Sequence, residues 1–595
     1  MRAIIKILVF VMFVSGMLQW SVIDVSWENF RVIQVAHILS SIAILFLLVP
    51  FIYRHIRRYY FIKKVNSING WVVFVLFILL IASGFYLLLV GNRGGDMFGE
   101  LSFNVHLYGS FLLIILFIAH AFFSEKKQIV SLVLLALINP QLSHSQEKLS
   151  NIEVNSTRSY HSEDWTSSTK CKSCHSEIFK QWSNSNHKHL VGSNPYYMVM
   201  ETLAGEVEGE GFRKWCMSCH NPSALLNGHE KTTHDMEGNF LRDEIFEKDG
   251  QGLIADFKEQ DNFRLEEGVS CVTCHRITAA SSKGNASYTL TLERKKYALE
   301  DSKAPLGHWF SEKLINSNPD EHKKSYMDPL YKESKYCASC HDEFHPKNGI
   351  AIVSTFKEWE KSEFNNPKDK SKHKTCIDCH MTNLKDGKLS PLRGTSTDGG
   401  VIKEDVKVHY FSGSNHFLAG LKDKKNEEQT IELLKSSAKL DVDVKDNTLS
   451  VGVTNVGAGH HLPTGVADFR ELWLDVSVKD RDGKLVFSSG KLKEDGNIED
   501  DSRLFQKVFG DEEGKPVGLL FWRYKILLKD TRIPSKQRRV ESFALASSIK
   551  YPLSVEVKLN FRIYPQWTTD AVKKVFPTLP NPPIIELMKV EKEFK

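Results

Sequence analysis

The word Cys-x-x-Cys-His occurs five times: Cys171/Cys174/His175, Cys216/Cys219/His220, Cys271/Cys274/His275, Cys337/Cys340/His341 and Cys376/Cys379/His380. Two thiols at this spacing can form thioether bonds to the two vinyl groups of one haem, while the imidazole that follows reaches the iron. An isolated Cys-x-x-Cys is as readily a zinc knuckle or a redox dithiol. Composition decides here: the chain has ten cysteines, the five words consume all of them, and a histidine follows every pair. Five covalent c-type haems are expected, with no thiol left for a disulfide or a nucleophile.

The length of 595 residues suggests three or four domains. A net charge of +5 without a basic stripe interleaved with aromatics argues against nucleic acid as a partner. Haem of this kind is attached outside the cytoplasmic membrane, so the region of the words is expected to be exported.

Four apolar stretches precede it, at roughly 4–19, 32–53, 71–90 and 101–123. The last three are about 20 residues each, enough to cross a hydrocarbon layer of about 30 Å as helices. Arg54, Arg57, Arg58, Lys63 and Lys64, and then Lys126 and Lys127, place their loops on the cytoplasmic side. The words then need one more outward crossing. Ile129 to Ile138 is short for that purpose and admits two readings: a thin fifth span, which we prefer, or an internal signal peptide cut near Ser143-His144-Ser145. Four or five spans are expected, in a bacterial cytoplasmic membrane, with the haem words outside.

Ionisable residues at membrane depth are functional candidates. His37 and His55 lie on the second stretch, His106 and His120 on the fourth. Both helices run inward, so His37 would lie level with His106 near the outer face and His55 could match His120 deeper in; the rise is about 27 Å from His37 to His55 and about 21 Å from His106 to His120. Two stacked bis-histidine b haems would want this arrangement, with quinol as their mobile partner in the lipid. The pattern resembles the dihaem b-type membrane subunits of formate dehydrogenases and hydrogenases.

From about 146 the texture becomes polar, and long apolar periodic runs are scarce, as suits a domain whose apolar mass is porphyrin. Short helices are expected to carry the Cys-x-x-Cys-His words between loops. Three stretches carry a resemblance to the periplasmic multihaem c-type cytochromes that include the tetrahaem carrier of hydroxylamine-oxidising bacteria. They are Cys171 to His187, Glu267 to His275 and Cys376 to Met381. In that group Trp-x-x-Ser-x-His ends in a distal haem ligand, which the resemblance places at His187. Each electron-transfer haem needs a second axial ligand, and context singles out His322, His409 or His416, and His229 or His234. His345 is a further candidate, whereas His161, His189 and His373 read as ordinary.

From about 431 the period becomes two: Leu440/Val442/Val444, Leu449/Val451/Val453, Leu472/Leu474/Val476/Val478 and Val555/Val557/Leu559/Phe561/Ile563, with Asp482-Gly483 as a hairpin signal. These strands suggest an all-β sandwich. Its loop Gly459-His460-His461-Leu462-Pro463-Thr464-Gly465 is similar to stretches that follow the haem domain in related multihaem cytochromes, which implies His460, or else His461, as a distal ligand. The expected architecture is a helical membrane bundle (1–145), a loop-rich pentahaem domain (146–430) and the sandwich (431–595).

The function that best unites these features is electron transfer between the membrane quinone pool and periplasmic or extracellular redox proteins, in either direction. An enzyme acting on a small nitrogen or sulfur compound at one open c haem is the second possibility. A membrane-anchored docking subunit of a respiratory complex is the third.

Overall fold

The computed structural model describes residues 2–19, 25–59, 64–91, 97–122, 152–154, 165–191, 193–226, 267–302, 304–345 and 349–595. The chain forms two compact units. One comprises Met1–Gln141, Arg294–Met327 and Gly399–Val401; the other comprises Leu142–Glu293, Asp328–Asp398 and Ile402–Lys595. This division cuts across the borders expected from sequence. The haem words and the β region share the second unit, and the stretch around 294–327 belongs with the apolar helices.

The first unit is built on α1 (Arg2–Leu18), α2 (Trp27–Tyr59), α3 (Lys64–Leu89) and α4 (Met97–Phe122). Three helical segments, Trp27–Arg54, Trp71–Leu89 and Met97–Leu116, are long and apolar enough to cross a membrane. α1 is apolar but shorter, and 129–138 lies outside the described residues, so among the described residues the spans number three rather than four or five. α1 packs on α2 and α3 on α4, around buried Ile44, Phe77, Leu80 and Leu113. Val32, Phe46 and Ile115 point outward and are more than 60% exposed. Helices apolar on both their inner and outer faces suit a lipid surround rather than water.

Against these helices lies Pro305–Ser317, which packs on α3. Trp27 Nε1 donates to the Lys296 carbonyl at 3.1 Å, and the indole meets the edge of Tyr297 at 5.1 Å. Gly91, at φ +88°, sits so close to the Asn316 carbonyl that a Cβ would lie 2.5 Å from its oxygen.

In the second unit short helices end on the proximal histidines: α5 (Glu210–His220), α6 (Cys271–His275), α7 (Ser334–His341) and α8 (Cys376–His380). Local capping fixes where two of them start. Ser270 Oγ accepts from Thr273 N at 3.0 Å, and Thr375 N donates to Asp378 Oδ2 at 2.8 Å. Each capping box satisfies orphan amides of the first turn and puts the first cysteine of its word at the helix start.

The first word departs from the expectation that a short helix carries each one. Cys171 lies on the 3-10 turn Ser168–Ser173, and Cys174 lies beyond it, as the residue that caps the turn at φ −124°. The α-helix here, Ser176–Ser183, starts only after His175. Cys174 therefore sits in the entry to a helix, where the second cysteine of every other word sits inside one. The cause is local: Cys174 N and His175 N both donate to the Cys171 carbonyl, at 3.2 and 2.9 Å, and Ser167 Oγ accepts from Thr169 N at 3.1 Å, which winds the chain tightly before the helix begins.

The β region holds β1 (Ala438–Lys445), β2 (Thr448–Asn455), β3 (Glu471–Lys479), β4 (Leu485–Ser489), β5 (Arg538–Ala544), β6 (Leu553–Arg562) and β7 (Ile585–Phe594). Two antiparallel sheets form, in the orders β1-β2-β5 and β4-β3-β6-β7. The alternation read from sequence becomes one shared core: Leu440, Val442, Val451 and Val453 from one sheet meet Leu472, Leu474, Val476, Val557 and Leu559 from the other. Gly483, at φ +73°, supplies the turn between β3 and β4.

Candidate haem sites

One short segment joins the first and third words. The Glu267 carboxylate accepts from Ser168 N at 2.8 Å and from Ser167 Oγ at 3.0 Å, while Ser168 Oγ accepts from Cys271 N at 3.1 Å. Val269 N donates to the His187 carbonyl at 2.9 Å, and Trp182 Nε1 donates to the Val269 carbonyl at 2.9 Å. Gly268 adopts φ +55°, and a Cβ there would lie 2.3 Å from the His187 carbonyl oxygen. Gly268→Ala is therefore expected to cost about 1–3 kcal/mol, from strained φ and displaced backbone. A lowered Tm would be the readout.

Histidines pair across gaps of nearly constant width. The ring centroids of His187 and His341 are 6.2 Å apart, those of His275 and His409 6.4 Å, and those of His380 and His460 6.2 Å. An imidazole nitrogen sits about 2 Å from a metal ion it binds. With about 1.1 Å more from nitrogen to ring centre, two imidazoles on opposite sides of one iron have centroids about 6.2 Å apart by the same bond length. The protein thus spaces three pairs as bis-histidine haem ligands would be spaced.

Ring orientation agrees with that spacing. His380 Nδ1 lies 2.7 Å from the Ser412 carbonyl, His460 Nδ1 2.9 Å from the His461 carbonyl, His409 Nδ1 2.9 Å from the Lys407 carbonyl, and His175 Nδ1 2.6 Å from the Ser396 carbonyl. A carbonyl only accepts, so each Nδ1 carries the proton and each Nε2 keeps its lone pair for a metal. Burial pushes His187 down to about 3 and His220 and His409 to about 4, and lowers His341, His380 and His460. These imidazoles are neutral at pH 7, the form that ligates iron.

The words do not neighbour one another in chain order alone. The Cys171 thiol meets that of Cys271, Cys219 meets Cys340, and Cys337 meets Cys376. The Tyr336 hydroxyl of the fourth word's helix reaches Cys274 of the third. The first word therefore neighbours the third, the third the fourth, and the fourth both the second and the fifth. The half-buried Cys174 thiol lies 3.9 Å from the exposed Ser173 hydroxyl, and the Cys174 carbonyl accepts from Asp398 N at 2.8 Å. That bond, with the one from His175 to the Ser396 carbonyl, fastens the first word to the 396–398 segment, so loop contacts hold Cys174 in place of a helix. Among the described residues no group of three or more His, Cys, Asp or Glu converges as a bare metal site, so the thiol pairs are not arranged as zinc knuckles.

The loop bearing His460 is held to the haem region by a buried ion pair. Arg532 Nη1 donates to Glu358 Oε1 at 2.7 Å, both side chains being 5% exposed. Glu358 Oε2 accepts from Thr464 Oγ1 at 2.6 Å and from His461 N at 3.1 Å. Asn455 Nδ2 donates to the His460 carbonyl at 2.8 Å. Neither Glu358 nor Arg532 stands out in the sequence, since a lone charge on a helix or strand normally signals a solvated face.

Other candidates fall elsewhere. His416 is fully buried against Phe561 and bonds the Ser414 carbonyl, so its ring serves the fold. His322 belongs to the first unit, its ring 5.0 Å from Tyr326, whereas all five words belong to the second. His189 has both ring nitrogens engaged, by Ser193 Oγ at 2.7 Å and the Ser183 carbonyl at 2.9 Å. The His220 ring stacks on Tyr197 at 4.3 Å. His229, His234 and His161 lie outside the described residues.

A fourth pair lies in the first unit. The rings of His37 on α2 and His106 on α4 are 6.2 Å apart and cross at 80°. His37 Nδ1 is 3.0 Å from both Ser15 Oγ and the Met12 carbonyl. His106 Nδ1 is 3.1 Å from both Ser83 Oγ and the Leu80 carbonyl. Glycine follows each serine, and a Cβ on Gly16 or Gly84 would lie 3.2 or 2.9 Å from the facing imidazole Cε1. The hairpins α1/α2 and α3/α4 are thus an internal repeat: Ser-Gly on the first helix, His on the second, at separations of 22 and 23 positions. The signal was present in the sequence, but as two dipeptides among apolar residues. The side chains of His55 and His120 lie outside the described residues.

A family model agrees with the first two haem words. Residues 170–242 match the family model described as cytochrome c554 and c-prime. No curated protein matches the chain. Among solved structures the chain is similar to a penta-heme cytochrome c552 from Thermochromatium tepidum, at 18% identity and a TM-score of 0.46, over 72% of this chain and 99% of that one.

Proposed function

We propose that this multihaem c-type cytochrome carries electrons between the quinone pool of a bacterial cytoplasmic membrane and redox proteins on its periplasmic or outer side. The route uses one b-type haem between His37 and His106 and five c haems on the Cys-x-x-Cys-His words. The observation that carries this reading is the recurrence, between two apolar helices, of the imidazole spacing found at the c haem words. Haem supplies a one-electron couple whose potential its axial ligands tune. The chain's own residues fix those ligands: Ser15 and Ser83 orient His37 and His106, and backbone carbonyls orient His175, His380, His409 and His460. The spans would anchor the chain, and the five c haems would lie outside, where thioether attachment takes place.

Reduced-minus-oxidised spectra of the full chain in detergent test this reading. A b band beside the c band, with both reduced on adding menadiol, is the expected result. A c band alone would leave the apolar helices as a simple anchor, and a b band that no quinol reduces would remove the quinone pool from the route.

A further inference from the structure

Between the membrane histidine pair and the Ser317–Lys324 segment of the same unit lies a cavity of about 1040 Å³. Phe30, Ile38, Phe85 and Leu88 give it apolar walls, and Asn318 and Asp320 stand at its polar end. Gln34 also lines it, one helical turn before His37 and on the same face of α2.

Gln34 is 2% exposed. Its Nε2 donates to the Leu314 carbonyl at 3.2 Å and lies 3.3 Å from Ser317 Oγ. Because a carbonyl cannot donate, the amide cannot be flipped, and Oε1 is left as the free end. Among the described residues Oε1 has no hydrogen-bond partner. A buried acceptor of this kind calls for a donor. An ionised haem propionate only accepts, so it cannot serve. A ligand with an apolar ring and a hydroxyl donor can.

We propose that this end of the cavity is a quinol subsite in which a ring hydroxyl donates to Gln34 Oε1 while the ring packs among the apolar walls. The inference rests on the proposed link to the quinone pool. Oxidation there breaks the two O–H bonds of the quinol. A haem held between His37 and His106 would supply the one-electron acceptor for the two electrons in turn. Two protons leave to water at the polar end, and quinone remains.

The test follows haem reduction by menadiol in the full-length protein, comparing wild type with Gln34→Met, which keeps length and packing but has no acceptor oxygen. Gln34→Ala removes the amide without adding bulk and gives an independent second variant. The expected result is an intact dithionite-reducible b band in both variants, with reduction at low menadiol slowed about ten- to a hundredfold, as loss of a buried hydrogen bond implies. If wild type and variants are reduced equally fast, Gln34 binds water and the subsite is refuted while the quinone link stands. If the variants lose the b band, Gln34 serves the haem instead and the subsite is likewise refuted. If menadiol does not reduce wild type, the underlying quinone reading falls and the subsite with it.

Discussion

Replacing His460 by alanine is expected to turn one haem in five from low-spin to high-spin without changing the haem content. His380 remains as the proximal ligand, but the imidazole now 6.2 Å away across the gap, ring planes within 12° of parallel, is gone. Because axial ligation sets the potential, the midpoint of that one haem should also separate from those of the others in a redox titration. EPR of the oxidised protein reads both the loss of one low-spin signal and the new high-spin one; an unchanged spectrum would remove His460 from the iron. Glu358→Ala should act on the same haem from a distance. It removes one of the two carboxylates that face buried Arg532, which keeps Asp530 at 2.9 and 2.8 Å, and it releases Thr464 and the His461 amide, which costs about 1–3 kcal/mol for the hydrogen bonds lost. A lowered Tm with a partial high-spin fraction is expected, whereas Glu358→Gln, which keeps two acceptor bonds, should retain more of the low-spin signal.

The contrast between these two residues shows what a sequence makes legible. His460 is conspicuous because few residue types bind iron and because it stands in a glycine-flanked loop. Glu358 is invisible because its importance comes from Arg532, 174 positions later, and from burial that only the packed sandwich creates. Strands such as β2 and β3 read clearly, since one face meets the core and the period of two survives in the residues themselves. The unit borders do not, because Trp27 is held by Lys296 and Tyr297 far along the chain, and no local composition marks that contact. The spatial order of the haem words is hidden for the same reason. It depends on Glu267 and Ser168 joining the first word to the third across the second, a pairing fixed by two hydrogen-bonded side chains rather than by spacing. Cys174 shows the limit of the word itself: the spacing names its chemistry, but its place in a turn rather than a helix depends partly on Asp398, more than two hundred positions away.

The pair His37/His106 gives the second large effect. His37→Ala or His106→Ala is each expected to abolish the b band while all five c haems remain, because among the described residues no third His, Cys, Asp or Glu converges on the pair to replace a lost imidazole. Wild type should show b and c haem in a ratio of one to five by pyridine haemochrome, rather than the two to five that stacked b haems would give. The reason is the repeat: the serine and glycine that orient and admit an imidazole occur once per hairpin, opposite His37 and His106. A ratio near two to five would show the second b haem that His55 and His120 would hold. Geometry supplies an independent signature. The His37 and His106 planes cross at 80°, whereas those of His380/His460 and His275/His409 lie within 20° of parallel. Orthogonal imidazoles leave two iron orbitals nearly degenerate, so the b haem should give a highly anisotropic low-spin EPR signal, distinct from the rhombic signals of the near-parallel c haems. Ser83→Ala should keep that haem but free the His106 ring to rotate, drawing its signal toward the rhombic class; were the signal unmoved, the Leu80 carbonyl alone would hold the ring.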